Sequence, residues 1–206
     1  MRYAATYHAP LGETRIDLVS NTHTDGVPLL NRMQFRRTSI DLNAQSLPLA
    51  VAILTSHLCS EVFEFGSMKI ANDYAAAIRH VLGPDVAISN VDGLNRNFST
   101  GEIDVIAGRA GGTGSIPPSS DMAAMRVDWN GDFVSAETRT SASFSFGAVQ
   151  TNALYFADAT RVSIAVGLMA GRDRIRTLYV PGTVSPQLEL ISTALFMVGI
   201  ELRLVG

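Results

Sequence analysis

The order of apolar and polar residues divides the chain into strand-like and helix-like regions. β-forming residues separated by turn residues predict strands at 3–8, 14–19 and 33–42. From residue 46 onward, apolar residues recur at steps of three and four: Leu47, Val51, Leu54, Leu58, Val62 and Phe65. This spacing predicts one largely buried amphipathic helix that continues to Phe65. We therefore expect an antiparallel strand meander over residues 1–45, followed by a helix.

The middle of the chain contains weaker signals. Asn72 or Asp73 can cap a second helix, which a Gly-Pro pair at 83–84 would end. Short strands are predicted at 85–91 and 102–107, and an irregular loop rich in glycine and proline at 108–118. Asn130-Gly131 between larger side chains indicates a hairpin, or else a long excursion, within 127–150.

The last third has the clearest pattern. It predicts strands at 152–157, 175–180 and 200–205, with helices at 159–170 and 186–198 between them. Gly171 and Gly199 follow the two helices, and Ser185-Pro186 combines a capping hydroxyl with a proline at the first helical position. Residues 151–206 therefore form a predicted βαβαβ unit.

Together these elements predict one α/β domain over residues 1–206. In this interpretation the N-terminal antiparallel strand meander (1–45) leads into a three-layer αβα-type, mainly parallel sheet. Residues 46–126 supply helices, strands and the loop rich in glycine and proline, and residues 127–150 supply the hairpin or excursion.

Composition narrows the function classes. Hydrophobic residues make up 47% of the 206 residues and charged residues 17%, which is typical of a globular protein. The net charge of −3 gives no reason to expect nucleic-acid binding, and no apolar stretch reaches the ~18 residues of a membrane span. Without a signal peptide and with one cysteine, Cys59, the expected location is cytoplasmic. Lys69 is the only lysine and follows no phosphate loop, which argues against a Walker-type NTPase.

Ligands of open parallel sheets gather at the carboxyl ends of the strands. Three predicted segments meet this condition: the loop after 102–107, Asp158 after 152–157, and Thr183 after 175–180. A carboxylate at Asp158 can serve as a catalytic or ligand-binding group, or it can cap the helix that follows. The same two interpretations apply to Thr183 and Ser185.

The loop after 102–107 is the strongest candidate for ligand binding. Its glycines permit close backbone approach, its hydroxyls are donors, and an arginine precedes them. The candidate residues are Arg109, Gly111, Gly112, Thr113, Gly114 and Ser115. The segment resembles glycine–threonine phosphate loops, but prolines follow it and no GxGxxG spacing is present. A surface loop without a ligand is the alternative.

Other candidate groups have ordinary structural explanations. The acidic residues Asp128, Asp132 and Glu137, with Glu102 and Asp104 before them, are a conceivable magnesium site. Turn formation around Asn130 explains Asp128 and Asp132 without a metal, so none is assigned. If the predicted helix holds, His57 and Cys59 point to different sides of it, so Cys59 is expected to be a core residue. Arg174 and Arg176 share a strand face and can bind an anion, contact another subunit or simply lie exposed.

Two hypotheses of different class remain. In the first, the chain binds a nucleotide-like or other anionic metabolite at the strand ends, as an enzyme of unassigned reaction or as a sensor. In the second, it is a non-catalytic structural or interaction subunit of a homo-oligomer or of a complex with a partner protein, since few charges and many apolar residues suit buried interfaces. No cofactor is indicated, and neither nucleic acid nor membrane is an expected partner.

Overall fold

The computed structural model also changes from a strand meander to alternating strands and helices. It describes residues 1–36, 40–94, 101–110, 123–131, 140–141 and 144–206. The helices are α1 Ser46–Thr55, α2 Asn72–Leu82, α3 Ala159–Gly171 and α4 Pro186–Met197. The strands are β1 Arg2–His8, β2 Glu13–Val19, β3 Arg32–Arg36, β4 Val62–Phe65, β5 Ala87–Ile88, β6 Ile103–Arg109, β7 Ala123–Asn130, β8 Thr140–Ser141, β9 Phe144–Thr151, β10 Ile175–Pro181 and β11 Glu201–Val205.

The strands form one mixed sheet. Ten of them follow in the order β11-β10-β6-β7-β9-β3-β2-β1-β4-β5, and β8 pairs with β9. Strands β11, β10, β6, β7 and β9 are parallel, whereas β1, β2 and β3 form an antiparallel meander that joins them through β9. The predicted α/β fold, with an N-terminal meander before a mainly parallel sheet, is confirmed.

The first predicted helix is too long. Helix α1 ends at Thr55, and residues 62–65 instead form β4, which pairs in parallel with β1. The side chains of Phe63 and Phe65 are buried and lie against the ring of Tyr3, with centroids 5.0 and 6.4 Å away. Pairing with β1 and this aromatic cluster outweigh the helical spacing of the apolar residues.

Three strand predictions also change. Of the two alternatives for 127–150, a hairpin that turns at Asn130-Gly131 is wrong, because β7 and β9 are parallel neighbours and a tight hairpin joins only antiparallel strands. The antiparallel pairing described in this region is between β8 and β9 instead. The strand at 152–157 is wrong as well, since Ala153–Tyr155 is a 3-10 turn and the first strand of the βαβαβ unit is β9. Among described residues, the third N-terminal strand ends at Arg36. Of the strand predicted at 85–91, only β5 is formed.

The four helices pack together, and the sheet curves around them. Helix α1 contacts α2 and α3, and α2 contacts α4. Because α2 joins β4 to β5 at one end of the sheet while α4 precedes β11 at the other, their contact requires this curvature. Every residue of α1 is buried, so α1 is a central helix that is apolar all round rather than an amphipathic surface helix. No helix in the described ranges is both long and apolar enough to cross a membrane.

Two features hold the central helices in place. The carboxylate of Asp173 accepts the backbone N–H groups of Gln45 at 3.1 Å and Ser46 at 3.0 Å, which closes the buried start of α1. At Gly167, α3 approaches the sheet so closely that a Cβ atom would lie 2.5 Å from a methyl carbon of Leu178 in β10. Helix α3 therefore lies directly on the parallel strands.

Candidate functional site

Two of the predicted binding segments end at the same edge of the sheet, here called the carboxyl edge. Strands β6 and β10 are parallel neighbours in which Ile106 lies opposite Tyr179, and Arg109 and Gly182 each lie three residues further on. Adjacent strands are about 4.8 Å apart. The end of β6 and the segment that contains Thr183 are therefore next to each other.

The start of α3 joins this edge. The hydroxyl of Thr160 donates to the backbone oxygen of Pro181 at 3.3 Å. At Gly182 a Cβ atom would lie 2.9 Å from the Cγ2 atom of Thr160, so the glycine permits this close approach. The strands before Arg109 and Thr183 run in the same direction, as predicted, but the start of α3 reaches this edge through Thr160 and not through a strand at 152–157.

Asp158 is the N-cap of α3. One carboxylate oxygen accepts the N–H groups of Thr160 and Arg161, both at 3.1 Å, and the other accepts Nε of Arg161 at 2.6 Å. Burial opposes ionisation of Asp158, but these hydrogen bonds and the charge of Arg161 hold its pKa below the usual value. The capping interpretation is confirmed, and a catalytic role stays a prediction.

The partner of Asp158 was not singled out from the sequence. The side chain of Arg161 is only 13% exposed, and burial together with the charge of Arg161 lowers the pKa of His57. The Asp-Arg spacing of three residues at a helix start is the signal that indicates such a pair. Asp158 and Arg161 together therefore bring little net charge to the carboxyl edge.

Arg109 differs from the two arginines at the opposite end of β6 and β10. Its side chain is exposed at the end of β6 and has no ion-pair or hydrogen-bond partner among the described residues. By contrast, Arg174 pairs with Glu102 at 2.6 Å and Arg176 with Asp104 at 3.1 Å, both within this chain. Arg109 is thus a cation at the carboxyl edge without a described partner.

The remaining predicted binding residues divide into two groups. Thr183 is exposed at the carboxyl edge, whereas the Ser185 hydroxyl accepts the N–H of Leu188 at 3.3 Å and caps α4. The glycine loop residues lie outside the described residues: Gly111, Gly112, Thr113, Gly114 and Ser115. The last described residue before them is Ala110, whose N–H donates to the Trp129 oxygen at 2.8 Å.

No known protein family, curated protein or solved structure matches this chain. Its site is therefore argued from geometry. In the part of the chain that the structure describes, no group of three or more histidine, cysteine, aspartate or glutamate side chains could hold a metal ion. Cys59 is buried, as expected of a core residue, and burial raises the pKa of its thiol.

A cleft of about 450 Å³ lies elsewhere on the molecule, beside the only lysine. Asn43, Gln45, Ser67 and Lys69 contribute its polar lining. Strand β4, which leads into this cleft, runs opposite to β6 in the sheet, so its carboxyl end lies at the other edge. The Lys69 side chain is exposed there. The sequence pattern did not indicate this cleft, because its lining comes from three separate segments.

Proposed function

We propose that this chain binds a small anionic, nucleotide-like metabolite at the carboxyl edge. The observation that supports the proposal is the exposed side chain of Arg109, which lacks a described partner at the end of β6 and lies beside the segment that carries Thr183. A guanidinium group recognises phosphate or carboxylate oxygens through paired hydrogen bonds and stays charged at any physiological pH.

Neighbouring groups suit the same ligand. Thr183 offers an exposed hydroxyl, and the glycine segment after Ala110 is predicted to offer backbone N–H groups together with the hydroxyls of Thr113 and Ser115. A ligand with an anionic group and a polar body would use both sets of donors. Arg109 would bind the anionic group of this ligand.

Helix α3 has a different part in the proposed site. Its first N–H groups are already bonded to the carboxylate of Asp158, so its N-terminus is occupied by an anion of the chain itself. The proposed site therefore relies on Arg109 rather than on α3. The proposal is one of binding, and it assigns no reaction to the site.

Calorimetric titration of the full chain with inorganic phosphate, AMP and ADP tests the proposal. Arg109→Gln should weaken the tightest of these by about tenfold or more, as expected for loss of a charge-assisted hydrogen bond. Lys69→Gln is the matched control, because it also removes one exposed positive charge but at the opposite edge. Its affinity should stay within about twofold of the unsubstituted chain.

Two results would contradict the proposal. One is that none of the three probes binds the unsubstituted chain. The other is that Lys69→Gln weakens binding as much as Arg109→Gln does, which would show that binding depends on overall charge and not on Arg109. The variant Gly112→Val tests the glycine segment separately, because unchanged affinity in a folded protein would remove that segment from the site.

A further inference from the structure

Strand β11 ends the sheet on one side. It pairs with β10 over residues 201–205, and no strand within the described ranges pairs with its outer side. The strand at the opposite end, β5, has only two residues. Strand β11 is therefore the longer open edge, and open edges are templates for pairing with another chain.

The outward backbone groups of β11 can be assigned from one hydrogen bond. The N–H of Gly182 donates to the oxygen of Val205 at 3.1 Å, so the polar groups of Val205 face β10. Because these groups alternate along a strand, those of Glu201 and Arg203 also face β10. The N–H and C=O groups of Leu202 and Leu204 therefore point outward.

The side chains of β11 make this edge complementary to itself. Within one chain Glu201 and Arg203 form an ion pair at 2.9 Å, and both side chains are 54% exposed. If two copies pair in antiparallel fashion with Leu202 opposite Leu202, then Glu201 of each copy also lies opposite Arg203 of the other, and the two ion pairs join into one cluster of alternating charges. The two outward-facing Leu202 residues then exchange both backbone hydrogen bonds. Moving each strand by one residue places Arg203 opposite Arg203, which is repulsive. Charge thus selects the first register.

Apolar side chains surround the same edge. A groove of about 270 Å³ lies between α4 and β11, lined in part by Val184, Leu188, Leu202 and Leu204. Val184 is 71% exposed and Phe196 is 76% exposed. Phe196 follows the groove-lining Ser192 by four residues, so it lies on the same side of α4. A paired copy would cover these side chains.

We propose that β11 is the interface at which a second copy of this chain pairs in antiparallel fashion, with Leu202 opposite Leu202 and Glu201 opposite Arg203. The two sheets become one continuous sheet, and the helices α4 of both copies flank the junction. Two such charge pairs form in each dimer because of its two-fold symmetry.

Sedimentation equilibrium of the full chain, with two charge variants, tests this register. The unsubstituted chain should sediment with twice the mass of one chain. Glu201→Arg and Arg203→Glu each place like charges opposite each other twice, which should raise the dimer dissociation constant by about tenfold or more. An equimolar mixture of the two variants restores both opposite-charge pairs, so the mixture should form dimers again.

A control separates this interface from general changes of charge or folding. Glu102→Arg reverses the charge of a similarly exposed ion pair, Arg174–Glu102, away from β11, and should leave the dimer unchanged. Circular dichroism of each variant reports its folding. The proposal is overturned if the unsubstituted chain is a monomer at all concentrations, if Glu201→Arg dimerises as well as the unsubstituted chain, or if the mixed variants stay monomeric.

Discussion

Removal of the Asp173 carboxylate should destabilise the protein more than removal of an ordinary helix cap. Asp173 accepts two backbone N–H groups at the start of α1, from Gln45 and Ser46. These two residues are 2% and 0% exposed, and Asp173 itself is only partly exposed, so water replaces the carboxylate less readily than it replaces an exposed cap. The substitution Asp173→Ala therefore leaves two buried donors without their acceptor.

The magnitude follows from these contacts. Loss of a helix cap costs roughly 0.5–2 kcal/mol, and a buried unsatisfied donor costs roughly 1–3 kcal/mol. Because the two donors share one carboxylate and the chain can relax, we expect a loss of about 2–4 kcal/mol. Asp173→Asn keeps one acceptor oxygen and should lose less. A domain with a typical stability of about 5–15 kcal/mol remains folded after this change.

Ser185→Ala is the comparison. The Ser185 hydroxyl also caps a helix, α4, but through the single N–H group of Leu188, at 3.3 Å. Its loss should cost about 1 kcal/mol. Urea unfolding followed by fluorescence of the single tryptophan, Trp129, measures both variants, because this side chain is fully buried. The argument fails if Asp173→Ala is no more destabilising than Ser185→Ala.

Two further predictions concern the sheet. Burial opposes ionisation of Glu13, but hydrogen bonds from Arg15 and Arg36 hold its pKa below the usual value. The ionised Glu13 side chain therefore stabilises the fold above the unfolded-state pKa of about 4.3. This stabilisation is lost as pH falls through the lower, folded-state pKa. Glu13→Gln should flatten this acid limb in urea unfolding measured from pH 6 downward, and an unchanged limb would contradict the assignment. Gly182→Ala should cost about 1–3 kcal/mol because its Cβ meets Thr160, and Thr160→Ala should relieve part of that cost in a double-mutant cycle. Additive effects of the two substitutions would show that they do not meet.

The chain from Ala159 onward was predictable because its signals are local. Ser185 caps α4 ahead of a proline, and Gly199 ends the following turn with a φ of +80°. Each of these residues fixes the backbone within its own turn, whatever the rest of the sheet does. The element bounds in this region therefore needed no knowledge of strand pairing.

The N-terminal half failed where pairing decides the structure. Val62 and Phe65 continue the helical spacing that begins at Leu47, but residues 62–65 also alternate between partly exposed and buried positions, as a strand does. Only the presence of β1 beside them selects the strand. The hairpin prediction at Asn130 failed for the same reason, since β7 has parallel partners on both sides.

The candidate site was predictable in part. The rule that ligands gather at the carboxyl ends of parallel strands singled out Arg109, Asp158 and Thr183, and strand order was needed to tell whether they converge. Arg109 and Thr183 follow neighbouring parallel strands, whereas the strand predicted before Asp158 is absent. What the sequence left open was the role of each side chain. The Asp158 carboxylate already accepts hydrogen bonds from Arg161 and from two backbone N–H groups. These contacts depend on how α3 begins.

The proposed binding site and the proposed interface depend on different properties of the same sheet. Arg109 lies beside the segment that carries Thr183 because β6 and β10 run in the same direction, whereas β11 is an edge strand because it comes last in the order of the described strands. Direction and order are set by long-range pairing, and neither can be changed by one surface charge. Glu201→Arg should therefore leave binding at Arg109 intact, so the failure of either proposal does not remove the support for the other.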